Sequence, residues 1–381
     1  MAGALLILIM AVLPVAVACS QPAPAPAPSP TAKPAPATTA APAPAASPTA
    51  PPAPTKPAPA TTFVIKFPDM SAAGAGRTKA FDWWASEVTK RTNGQVKVET
   101  YWGASLISAM EQTPGVMKGV VQVACYYASY HPDFAPLPGM FVAPFVNTNS
   151  YKTSLYASDE LFKTDPAVLA EFQKNNVRYI SPALFAGQYI WSKKPLKTID
   201  DLKGLRVRTY GPFLALFKEL GSGLVDVAVP EVYNALDRGA VDASTFPTDV
   251  ARGSHLEEVV KYVVATDLGH NVGSPIVANL DFWNKLPDDI KKIIEQLGLE
   301  MRDKISDIQT ESDKTDNDYM KSKGVQYSTF SDANVAKLKE LSRTKVWEPY
   351  WADVQAKKGV DAATVFKRYQ DLYNKYLAKY G

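Results

Sequence analysis

The stretch Leu196–Asp242 constrains the fold more than any other part of the chain. Thr198 or Asp200 is placed to cap a short turn, and Gly204 follows where the chain must reverse, because glycine has no Cβ to penalise positive φ. Leu205-Arg206-Val207-Arg208-Thr209 then alternates, which puts Arg206 and Arg208 on one face of a short strand and Leu205 and Val207 on the other. Tyr210-Gly211-Pro212 turns the chain into a helical pattern over Phe213–Leu220 that stops at Gly221. Val225–Val229 reads as a second strand, and Pro230-Glu231 opens a helix over Val232–Arg238. Strand–helix–strand–helix order is that of an α/β domain. Strand ends in such a domain face one crevice, where a guanidinium is suited to hold a carboxylate through two parallel hydrogen bonds.

The flanking sequence repeats this alternation. Phe63–Phe67 is a strand, and Arg77–Thr92 is a helix with Phe81, Trp84 and Val88 stacked at helical spacing and Asn93-Gly94 as its stop. Trp83 lies off that stripe. Gln95–Tyr101 alternates as a half-buried strand. Thr113-Pro114 starts a second helix, and Val120–Cys125 is a continuous apolar strand, so a parallel sheet covered on both sides is expected. Directly after it comes Tyr126-Tyr127-Ala128-Ser129-Tyr130-His131, at the strand end where ligands bind in open α/β sheets; Tyr127 either walls a pocket or packs under the next loop. Helices are expected around Lys152–Lys163 and Ala167–Asn175, and strands near Val177–Leu184, Gln188–Ser192, Lys261–Ala265 and Pro275–Leu280. A very long helix runs from Leu286-Pro287-Asp288-Asp289 to about Lys323. The remainder is helical with a break near Gly359, its aromatic residues packing onto the body.

The first sixty residues differ in kind. Ala4–Ala18 is almost unbroken apolar sequence, shorter than the roughly twenty residues of a membrane span. It reads as a signal peptide over residues 1–18, and Ala16-Val17-Ala18-Cys19 resembles the bacterial lipobox, which implies a lipid-modified Cys19; a plain cleaved signal and an uncleaved anchor are the alternatives. Of 31 prolines, 15 lie between Pro22 and Pro59, and Lys33 and Lys56 are the only charges between Ser20 and Thr61. Such a tract has too little to bury to offset its ordering entropy, so residues 19–61 are expected to form a disordered tether.

No nucleophile elbow, Walker loop, dinucleotide fingerprint or zinc-protease helix occurs, and nothing in the sequence calls for catalysis, a cofactor or a metal. A net charge of +3 indicates neither nucleic acid nor an anionic membrane surface as partner. Two cysteines, one in the leader and Cys125 in an apolar run, make no evident disulfide.

The run T-x-x-D-L-K-G-L-R-V-R, then L-G, then P-E-V-Y-N-A-L-D-R-G-A-V-D resembles the DctP-type solute-binding proteins of TRAP transporters. The likeness continues through Val88–Tyr101 upstream and Asp281–Gln296 downstream, and so spans roughly Thr62 to the C-terminus. It implies a two-lobed periplasmic-binding-protein-like α/β fold with a hinge and a long helix bridging the lobes. The expected division is 62–185 plus 272–311 for lobe I and 186–271 plus 312–381 for lobe II. The family function is capture of a small organic acid between the lobes for delivery to a TRAP-type permease outside the cytoplasm. By position, Arg208 would hold the ligand carboxylate, unless it makes a surface salt bridge. Some sialic-acid-binding members have a second arginine where this chain has Gln188, an asparagine where it has Phe246, and an acidic residue where it has Tyr127. Losing those polar partners disfavours a polyhydroxylated sugar acid, since each unpartnered buried hydroxyl would cost about 1–3 kcal/mol. A monocarboxylate with an apolar or aromatic body is expected instead, packed by Tyr127, Trp191 and Phe246. A secreted hydrolase acting on a carboxylated substrate and a sensor docking on a membrane receptor are the alternatives.

Overall fold

The computed structural model describes residues 63–148 and 150–381. Its strands are β1 (Phe63–Pro68), β2 (Val96–Tyr101), β3 (Val123–Cys125), β4 (Val177–Ser181), β5 (Tyr189–Ser192), β6 (Arg206–Arg208), β7 (Gly223–Leu224), β8 (Ala243–Phe246), β9 (Tyr262–Val264), β10 (Ile276–Asn279) and β11 (Gln326–Ser328). They fall into two lobes with separate cores.

In lobe I, β1 and β2 run parallel, joined by the helix Gly76–Arg91. A second sheet has the order β3-β10-β4, with β10 antiparallel to both neighbours. The wholly parallel lobe expected from sequence is therefore corrected. The central strand of that sheet arrives from far along the chain, and no strand–helix–strand step forces it parallel. Phe67, Phe81, Trp84, Val88, Val123, Ile276 and Leu297 share one buried core. Lobe II carries a six-stranded sheet in the order β11-β9-β5-β8-β6-β7. Successive residues feed opposite sides of it. Ile190, Val207 and Val264 join Leu202, Phe213 and Phe217. Trp191 and Val263 join Val232, Leu236 and Leu256.

Between the lobes, residues 185–188 and 268–271 cross side by side. Phe185 and Asn271 exchange two backbone hydrogen bonds of 2.9 Å each, and Gln188 donates to the Gly269 carbonyl at 3.1 Å. The helix Asp288–Ser322 is the third connection: 35 residues, about 50 Å long. Ile290, Ile294, Leu297 and Met301 sit in the lobe I core, and Met320 sits in lobe II. Gly298 lets this helix press onto β4, since a Cβ there would lie 2.4 Å from the Ile180 carbonyl oxygen.

Three further expectations change. The second helix starts earlier, at Ala109, because Ser108 and Glu111 form a capping box; Pro114 then falls inside it. Proline cannot donate to the Met110 carbonyl one turn back, and His131 Nε2 lies against that oxygen at 2.7 Å. The second strand of the Leu196–Asp242 module is Gly223–Leu224 paired with Arg206–Val207, and Val225–Val229 makes no ladder of its own. The helix Ala362–Tyr380 packs on the helix Tyr151–Thr164 through Tyr376 and Tyr156, and its Phe366 and Tyr369 join the lobe I core. Placing all of 312–381 with lobe II does not describe that packing. An amphipathic pattern states that a face is buried, not against which lobe.

Candidate functional site

Arg208 ends β6, beside β8, on the sheet face that also carries Ser244 and Phe246. Its partner on that face two residues back, Arg206, is exposed and held by Asp242 through Nε and Nη2 at 2.9 and 2.8 Å. Arg208 is only 5% exposed. Its Nε donates to the Val227 carbonyl at 3.1 Å, its guanidinium carbon lies 4.7 Å from the Phe246 ring centre, and Tyr210 stands at 5.9 Å. Among the described residues no carboxylate comes within ion-pair distance of it, in contrast to Arg206. Burial pulls its pKa down, while Tyr130, Tyr210 and Asp226 act in the opposite direction. A guanidinium nevertheless stays charged, so the site holds a fixed cation.

Lobe I faces it with the segment after β3. A Cβ on Gly211 would stand 3.4 Å from that of Ser129, so the two lobes meet directly beside Arg208. The Tyr127 ring lies about midway between Tyr130 and Phe185, with centroids 6.1 and 6.0 Å away. Its hydroxyl turns inward, donating to Asp69 Oδ2 at 2.9 Å and accepting from the Met70 N–H at 3.4 Å. Tyr127 is itself 1% exposed, so it packs under the neighbouring segment with its hydroxyl already engaged. Tyr130 and Tyr210 come from opposite lobes, and each acts electrostatically on Arg208.

The other sequence-predicted residues divide. Phe246 is in place against Arg208. Trp191 shares the face, level with Arg208, but is fully buried with Val232, Leu236 and Val263, and its indole N–H donates to the Phe246 carbonyl at 2.9 Å. It supports the strand that carries Phe246 and presents no surface of its own. Gln188 sits in the hinge crossing. Its Nε2 donates to the Ala186 carbonyl at 3.3 Å, and its buried Oε1 has no partner among the described residues. Cys19 lies outside the described residues.

Sequence reasoning missed Arg77. Its Nη2 donates to Asp69 Oδ2 at 3.0 Å and to Cys125 Sγ at 2.8 Å, and its guanidinium stacks 3.7 Å from the Phe185 ring centre. Nε and Nη1 are buried without a partner among the described residues. Asp69, Arg77, Cys125 and Tyr127 thus form one buried network behind the aromatic wall. The available signal was position. A basic residue in the first turn of a helix opposes the helix dipole and needs an acidic partner elsewhere. Asp249 is a second buried titratable group that the sequence pattern does not single out. It stands in the helix Thr248–Gly253 and lines a cavity of about 690 Å³ with Ala72–Ala75, Lys79 and Arg252. Burial, reinforced by Asp313 nearby, pushes its carboxyl up to about 7.

The profile of the bacterial extracellular solute-binding proteins, family 7 (DctP), matches residues 70–353. A solute-binding protein of Albidiferax ferrireducens is 25% identical over 278 residues, covering 71% of this chain and 80% of that protein. A TRAP periplasmic solute-binding protein of Desulfovibrio salexigens, in an open form, is 30% identical with a TM-score of 0.70, covering 83% of this chain and 97% of that one. A TRAP solute-binding protein of Rhodoferax ferrireducens in complex with copurified benzoate gives a TM-score of 0.73 at 22% identity over 84% and 99% of the two chains, a likeness of fold. No helix among the described residues is long and apolar enough to cross a membrane. With a profile match over most of its length and the two-lobed architecture in place, the chain belongs to family 7 of the bacterial extracellular solute-binding proteins, the DctP-type solute receptors of TRAP transporters.

Proposed function

We propose that this receptor captures a small organic monocarboxylate with an apolar or aromatic body and delivers it to a TRAP-type permease. One observation carries the reading: Arg208 is a nearly buried guanidinium with no carboxylate partner among the described residues, set against Phe246 and Tyr210. A buried cation without a counter-charge is costly, and a ligand carboxylate removes that cost. Phe246 supplies ring surface against the guanidinium, and Tyr127 packs beside Tyr130 on the lobe I side. Tyr130 and Tyr210, one from each lobe, both act electrostatically on Arg208, and phenol hydrogen bonds from them to the same carboxylate, with Tyr130 leaving its long contact to Met70 Sδ, would couple binding to closure. The benzoate found with the Rhodoferax ferrireducens protein is an acid of this kind.

The proposal extends to the N-terminal segment. Cys19 becomes the lipidated first residue, and residues 20–61 serve as a tether holding the receptor at the membrane surface. Lobe I comprises 62–185 with 272–311, joined by the C-terminal helix packed on it, and the rest forms lobe II.

Native mass spectrometry of the purified chain, compared with the denatured protein, tests the reading. A single small acid adduct that disappears in Arg208→Ala supports it. A neutral or cationic adduct that survives Arg208→Ala refutes it.

A further inference from the structure

A second cluster of ligating groups lies on the helix Leu256–Val259 and its N-cap His255, just after the helix Thr248–Gly253. His255, Glu257 and Glu258 each offer one ligand atom there, all within 4.8 Å of one another. His255 Nδ1 stands 3.7 Å from Glu257 Oε1, too far for a hydrogen bond. That separation suits two ligands of one ion, which lie about 2.0–2.2 Å from the metal and so roughly 3–4 Å from each other. The wider separations close by less than about 1 Å, and the two groups that would move, His255 and Glu258, are exposed.

Two further observations point to an ion. The Glu257 side chain is only 5% exposed; its Oε1 is the oxygen nearest His255, and its Oε2 is buried with no hydrogen-bond partner among the described residues. A desolvated carboxylate oxygen left unpaired is unusual in a folded protein and calls for a partner. Each carboxylate is also held by a phenol: Tyr319 donates to Glu257 Oε1 at 3.0 Å, and Tyr233 donates to Glu258 Oε2 at 2.7 Å. Outer hydrogen bonds of this sort hold metal ligands in position. The neighbouring cations are engaged elsewhere. Lys261 Nζ donates to the Glu257 main-chain carbonyl at 2.7 Å, and Arg252 pairs with Asp316 while lying over the Tyr319 ring.

We propose that His255, Glu257 and Glu258 bind one divalent transition-metal ion of the zinc class, with water completing its coordination. One imidazole with two carboxylates selects such an ion over calcium, which takes six to eight oxygens. The ion would tie the helix Leu256–Val259 to the helix Val232–Asp237 through Glu258 and Tyr233, and to the long strut through Glu257 and Tyr319.

The test is calorimetric titration of ZnCl2 into the tag-free, chelator-stripped full chain in a non-coordinating buffer. One saturable equivalent is expected, with affinity reduced by about 100-fold in His255→Ala and about 10-fold in Tyr319→Phe. Glu258→Gln provides a second exposed ligand variant, and Arg208→Ala should bind zinc as the parent does, which separates this site from the cleft. Absence of a saturable single-equivalent transition overturns the proposal. So does zinc binding retained within about threefold in both His255→Ala and Glu258→Gln.

Discussion

Replacing Arg208 by alanine should move ligand affinity and ligand-free stability independently. Without ligand, the substitution removes one hydrogen bond to the Val227 carbonyl and the packing of the guanidinium on Phe246. A hydrogen bond from a charged donor contributes about 1.5–3 kcal/mol. It also removes a nearly buried charge that no carboxylate offsets among the described residues, a relief of similar size. The net change in ligand-free stability should stay within about 1 kcal/mol, seen as a shift of about 2–4 °C or less in thermal melting. With ligand the balance differs. Truncating one partner of a buried, hydrogen-bonded charge pair costs about 2–5 kcal/mol, or roughly 30- to 5,000-fold in Kd. Arg208→Lys keeps the charge but loses the two-pronged geometry, so it should fall between parent and alanine. Titration calorimetry with benzoate as probe, alongside melting of both ligand-free variants, measures both quantities. An Arg208→Ala protein destabilised by 3 kcal/mol or more without ligand, yet binding as tightly as the parent, would refute the assignment and make the arginine structural.

Tyr127→Phe should cost about 1–2 kcal/mol of stability, because Asp69 loses a buried donor, while leaving benzoate affinity within about threefold; a large affinity loss would show the hydroxyl reaching the ligand. Gly298→Ala reverses the usual helical preference for alanine: the added Cβ meets the Ile180 carbonyl, and urea unfolding should show a loss of about 2–3 kcal/mol. Asp249 has a folded-state pKa of about 7, above the ordinary aspartate value, so the folded protein binds more protons between those two values. Its contribution is therefore present at low pH and lost as pH rises through about 7. Asp249→Asn should then stabilise the protein by about 1–3 kcal/mol at pH 8 and by little at pH 4, and equal effects at both would contradict this. Cys19→Ser should shift the protein from the membrane to the soluble fraction; unchanged membrane association would rule out lipidation as the anchor.

Much of the site's lobe II half was legible in the chain. Alternation over Leu205–Thr209 placed Arg206 and Arg208 on one face, and periodicity found the long strut to within two residues of its observed ends at Asp288 and Ser322. These are local properties: which face a side chain takes, and where a helix starts and stops, depend on neighbours within a few residues. Alternation could not say that Arg206 would meet Asp242 while Arg208 would be buried without a carboxylate. Nor could it say that Trp191, on the same face and level with Arg208, would be packed over completely. The same limit explains the antiparallel course of β10, the docking of the C-terminal helix on lobe I, and the network joining Asp69, Arg77, Cys125 and Tyr127. Each depends on segments tens to hundreds of residues apart meeting in space. Burial and counter-charge are set by those meetings, so alternation put both arginines on one face, the family resemblance singled out Arg208, and only the tertiary structure left it buried with no carboxylate partner among the described residues.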